Sequence, residues 1–117
     1  MEKLDFTKEV LLGIEPIEVK ITPDILRGVD ILNTTDCIGA RALKSVLKNN
    51  FKPINFNFDV SWGIISGSLF CNKNGVNFMM VKFGMIDEKK KPVDAMSIEQ
   101  PTTVYLEVDY IKDLSNI

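Results

Sequence analysis

The residues of this sequence that could do chemistry are few. They are three carboxylates on strand-like stretches (Asp59, Glu107 and Asp109), two cysteines (Cys37 and Cys71) and two arginines (Arg27 and Arg41). Asp59 and the pair Glu107 and Asp109 occupy the polar positions of two alternating segments. If those segments pair, the acids converge as a general acid/base pair or a weak cation site. The plainer reading is a set of solvated strand faces that discourage edge aggregation. Cys37 stands where a helix begins, and a helix N-terminus lowers the pKa of a thiol and suits catalytic cysteines. The chain has no histidine, so the usual partner base is missing, and the charge of Asp36 beside the thiol would raise its pKa. Two cysteines with neither histidine nor CxxC spacing make a poor zinc site. Both read as free, mostly buried thiols.

Glycine and lysine clusters add little catalytic promise. Ser61-Trp62-Gly63-Ile64-Ile65-Ser66-Gly67-Ser68 is rich in glycine and serine, but it leads into a hairpin and not into a helix N-terminus that could cradle phosphate. Its glycines read as bulges or as places where backbone approaches closely. Lys89-Lys90-Lys91 is flanked by Asp87, Glu88 and Asp94 and reads as a solvated turn. Only Arg27 and Arg41 could grip a phosphate with a guanidinium fork, so they are the candidate contacts for a small anionic ligand.

The elements that must position these groups follow from periodicity. Residues 3–13 suit a short helix stopped at Gly13, or equally a strand. Ile17, Val19 and Ile21 alternate with Glu18 and Lys20 in a strand. Thr22-Pro23-Asp24 has the form of a helix start, with a capping hydroxyl, a proline at the first turn and an acid near the dipole. The main helix starts at Thr35-Asp36, buries Gly39, Ala42, Leu43, Val46 and Leu47 on one face, and ends at Asn49-Asn50. From Ile54 to Trp62 the period is two, with Ile54, Phe56, Phe58, Val60 and Trp62 inward. Asn74-Gly75 marks a hairpin turn. The return strand runs Val76–Ile86, a charged turn spans Asp87–Pro92, and the last strand runs Thr102–Tyr110 with Val104, Leu106, Val108 and Tyr110 inward. The tail from Lys112 is expected to be loose. The sum is an α+β fold: one domain over residues 1–117, an antiparallel meander of about four to five strands with one main helix packed on one face. Leu43, Val46, Leu47, Phe56, Phe58, Trp62, Leu106 and Val108 should form its core.

One strand raises the question of assembly. Along Val76–Ile86, Phe78 and Met80 point one way and Met79, Val81, Phe83 and Met85 the other. A strand apolar on both faces must be covered on both. Met79, Val81, Phe83 and Met85 are therefore the expected interface, for a homodimer or a target, unless the N-terminal helix covers them.

Composition bounds the rest. The chain has 117 residues, 45% of them hydrophobic and 26% charged, and a formal net charge of −2. That is one ordinary domain, and its charge argues against nucleic acid as a partner. The N-terminal residues do not form a signal peptide, and no window reaches the ~18 apolar residues of a membrane helix, so a cytoplasmic location is expected. No cofactor is implied.

Ile21-Thr22-Pro23-Asp24-Ile25-Leu26-Arg27-Gly28, followed by Asp36-Cys37-Ile38-Gly39-Ala40-Arg41-Ala42-Leu43-Lys44, resembles an opening found in small phage-encoded α+β proteins of unassigned function. Those proteins usually have proline after the cysteine, where this chain has Ile38. The resemblance implies a mobile-element origin and inhibition of host machinery, including defence proteins. Together the observations favour a non-enzymatic protein that occludes a host partner. The other readings are a sponge that sequesters a nucleotide-type signal and a small carboxylate-dependent enzyme.

Overall fold

The structure is a computed structural model that describes residues 2–112. The expected loose tail therefore lies, beyond Lys112, outside the described residues. Five antiparallel strands form one sheet in the order β1-β5-β4-β3-β2. They are β1 (Ile17–Ile21), β2 (Phe58–Trp62), β3 (Ser66–Lys73), β4 (Val76–Ile86) and β5 (Thr102–Ile111). The helices are α1 (Lys8–Gly13), α2 (Pro23–Leu26) and α3 (Ile38–Asn50), with a 3-10 turn at Ala95–Ser97. The fold is α+β.

Local chemistry sets the element ends. The Thr7 and Thr22 hydroxyls accept from the Val10 and Ile25 amides, 3.3 Å each, and so cap α1 and α2. The start of α3 departs from expectation. Cys37 is its N-cap and makes no side-chain capping bond, its Sγ facing the Trp62 carbonyl, while Asp36 is turned toward Arg41. The β3–β4 turn is the expected Asn-Gly pair, with both residues at positive φ, 54° at Asn74 and 79° at Gly75. The strand expected from Ile54 begins only at Phe58.

Two bulges decide which way β4 and β5 point. Leu69 pairs with Val81 but Phe70 pairs with Met79, which leaves Met80 as the extra residue on β4. Lys82 pairs with Tyr110 but Phe83 pairs with Val108, which leaves Asp109 extra on β5. Each bulge flips the alternation beyond it. Ile111 therefore takes the inward place expected for Tyr110, which is exposed. Met79 is likewise separated from Val81, Phe83 and Met85. Those three are at most 1% exposed and belong to the chain's own core. They offer no interface, which corrects the assignment made from alternation alone.

α3 touches β1 and β2, the two edge strands, and also β3. A flat five-stranded sheet would hold its edges about 19 Å apart, wider than a helix of about 10 Å. The sheet must therefore curl so that one helix reaches both edges. Leu43, Val46, Leu47, Trp62 and Leu106 join the core as expected, while Phe56 and Val108 are half-buried against it. Phe58 is corrected to the surface at 37% exposure. It opens an edge strand, so it has a strand neighbour on only one side.

Trp62 is the pivot between helix and sheet. A Cβ at Gly39 on α3, or at Gly67 on β3, would overlap the indole. The ring lies between two bare backbones. Its Nε1–H is buried without a hydrogen-bond partner among the described residues.

Candidate functional site

The carboxylates do not converge. Asp59 on β2 and Glu107 and Asp109 on β5 are separated by β3 and β4. Three strand spacings amount to about 14 Å, too far for a shared proton or cation. Asp109, on its bulge, leans over Gly84, where an added Cβ would meet its Oδ2 at 2.7 Å. Cys37 and Cys71 are both free and buried. The Cys37 Sγ faces the Trp62 carbonyl oxygen at 3.9 Å.

The two arginines differ. Arg41 spends its whole guanidinium on the fold. Its Nε and Nη2 donate to Asp36 at 2.9 and 3.1 Å, its Nη1 to the Ile25 and Arg27 carbonyls at 2.9 and 2.7 Å, and its Nη2 again to the Gly28 carbonyl at 3.4 Å. All five N–H donors are taken, so none remains for an anion. The fork ties the end of α2 to the first turns of α3. The Arg41 hydrogen bond also holds the Asp36 carboxyl below its ordinary range. Arg27 is exposed and pairs with Asp24 at 3.2 Å. It lies on the α2 side, away from the concave surface described next.

That surface runs along one flank of α3. Lys44, Leu47, Lys48 and Phe51, together with Lys3, Lys52, Pro53, Ile54 and Phe58, line a groove of about 390 Å³. Helical spacing aligns Lys44 and Lys48 on this flank, and Lys52 follows just past the helix end. The N-terminal segment brings Lys3. The Leu4 amide donates to the Asn50 carbonyl and the Lys52 amide to the Leu4 carbonyl, at 2.9 and 2.8 Å. Phe6 stacks edge-on against Phe51, with ring centroids 5.4 Å apart. Three of the lysines are braced: Lys44 donates to the Thr35 carbonyl, Lys3 to the Lys48 carbonyl, and Lys52 pairs with Asp5. Phe58, on the groove wall, and Phe78 face the same side of the sheet, on either side of Cys71. Both aromatic rings are exposed.

The chain was compared with family models, with curated proteins and with solved structures. None matched.

Sequence reasoning missed this groove. The i, i+4 spacing of Lys44 and Lys48 is its signal, but within one helix that spacing also fits an ordinary solvated face. The contributions of Lys3 and Phe58 depend on chain crossings that periodicity does not report. Among the described residues, no helix is long and apolar enough to cross a membrane, and no cluster of three metal-ligating side chains occurs.

Proposed function

We propose that this is a non-enzymatic binding protein, of mobile-element origin and acting in the cytoplasm, that inhibits a host protein by occluding part of its surface. The observation that carries the reading is the exposed ring of Phe58 on the wall of the lysine-lined groove, with the exposed Phe78 on the same side of the sheet beyond Cys71. Exposed aromatics in a charged rim are the usual anchors of protein interfaces. In this reading α3 is the one main helix on the inner face of the sheet, and its lysine flank is the rim. The molecule is net acidic, yet this surface gathers four of its lysines. The partner it fits presents carboxylates around an apolar side chain, and charge speeds their encounter.

The test uses the purified chain and host lysate. Wild type should retain one host protein in stoichiometric amount. Lys48→Glu and Phe58→Ser should each release it with no change in melting temperature. Retention unaltered by both variants would remove the groove from the reading. A second reading, a sponge for a nucleotide-type signal, is favoured by the groove's concavity and its ammonium groups. It predicts a thermal upshift with mono- or cyclic dinucleotides that is lost in Lys48→Glu.

A further inference from the structure

β1 is an edge strand, with β5 on one side only. In an antiparallel ladder every second residue turns its N–H and C=O away from its partner. Among the described residues, no backbone or side-chain group hydrogen-bonds to that outer edge over Ile17–Ile21. The opposite edge is treated differently. The Trp62 amide of β2 donates to the Thr34 carbonyl at 2.8 Å, so a loop covers that end. An open edge is normally guarded by a lysine, a proline or a bulge. β1 carries Lys20, but two positions away it also carries Glu18, which cancels the guard.

We infer that the outer edge of β1 is a pairing surface for the same strand of a second copy of this chain. The strand Ile17-Glu18-Val19-Lys20-Ile21 complements itself when run antiparallel about Val19. Each Glu18 then stands opposite the other copy's Lys20, twice across the two-fold axis, and each Ile17 stands opposite an Ile21. Glu18 and Lys20 are exposed, while Val19 and Ile21 are buried inward. The charged pairs thus lie on the outer face and the apolar residues continue the inner layer. Room exists beside the edge. A groove of about 350 Å³ separates β1 from α3, lined by Glu18, Val19 and Lys20 on one wall and Ser45, Asn49 and Asn50 on the other. These α3 residues lie on the flank opposite the lysines, so pairing at β1 leaves the lysine groove free.

Charge swaps test the pairing without touching the core. Sedimentation velocity over a wide concentration range should show wild type passing from monomer to dimer. Glu18→Lys and Lys20→Glu each turn both cross-strand pairs into like charges and should weaken the dimer about tenfold or more. The double variant E18K/K20E restores opposite charges and should return the dimer to near wild-type affinity. Unchanged circular dichroism would show that all variants fold. A wild type that stays monomeric at every concentration overturns the inference. So does dimerisation indifferent to the single swaps, or a double variant that stays as weak as the singles.

Discussion

Trp62 shows how one side chain can set what its neighbours must be. The indole fills the space left by the missing side chains of Gly39 and Gly67, and its volume fixes the helix-to-sheet distance there. Gly39 is the second residue of α3, so alanine there would gain less than the ~1 kcal/mol it gains in a helix interior. Here the added methyl must displace a buried ring, and overpacking costs about 1–3 kcal/mol. The clash outweighs the propensity, so Gly39→Ala should lower the chemical-denaturation midpoint. Gly67→Ala should cost more, since its Cβ also lies 2.6 Å from the Ser61 carbonyl oxygen, which cannot rotate away. In a Trp62→Ala background the overlapped ring atoms Cγ and Cδ1 are gone, and Gly39→Ala should there be close to neutral. A double-mutant cycle with no coupling between the two positions would contradict the sandwich. Trp62→Phe, by contrast, removes the buried donor that has no partner among the described residues, which offsets part of the lost packing. Gly67 was legible in the sequence as a bulge or a place of close approach. That the approaching group is Trp62, from both sides, was not, because it depends on two elements distant in the chain.

Among the elements, the join between α2 and α3 rests on one guanidinium. Arg41→Lys keeps the charge but loses the fork, and with it most of the bonds to the Ile25, Arg27 and Gly28 carbonyls. It should cost about 1–3 kcal/mol. Amide exchange should speed up locally, over the segment between the two helices, before it does in the sheet. The same join carries a pH dependence. The Asp36 carboxyl is lowered on folding, first by its hydrogen bond from Arg41. The Asp87 carboxyl is lowered too, first by the Lys91 amide. A carboxyl lowered in the folded state contributes stability above its ordinary pKa, and that stability is lost as pH falls through the lowered value. Stability should therefore drop below about pH 4. Asp36→Asn should remove part of that drop, seen as a smaller difference in urea midpoint between about pH 7 and about pH 3. The Thr22 cap, the Asn-Gly turn and the period-two character of the strands were readable in the sequence, while the Thr7 cap and the start of α3 at Cys37 were not. The inward and outward sense of β4 and β5 was not. A one-residue bulge leaves no mark on hydrophobic alternation when Met79, Met80 and Val81 are all apolar.

For the whole molecule, the α+β class was readable, but the way α3 spans both edges of a curled sheet was not. Periodicity names the buried face of a helix and says nothing of what that face rests on. The lysine groove was hidden for the same reason, since it exists only where the N-terminal segment, the end of α3 and the start of β2 meet. The order β1-β5-β4-β3-β2 also has a consequence in time. Strands β2 to β4 are sequential neighbours that can zip together through the short loops 63–65 and 74–75, and β5 joins them after the longer segment 87–101. β1 precedes all of them, yet its partner among the described residues is the last, with Ile17 against Leu106 and Val19 against Val104. A ribosome has to deliver nearly the whole described chain before the first strand finds its place, and until then Val19 and Ile21 have no sheet to lie on. Closing so long a loop is entropically late. Val19→Ala should therefore speed unfolding with little effect on the folding rate, while Leu69→Ala, in the early hairpin, should slow folding. If Val19→Ala slowed folding as much as Leu69→Ala, β1 would be part of the nucleus and not the last strand to dock.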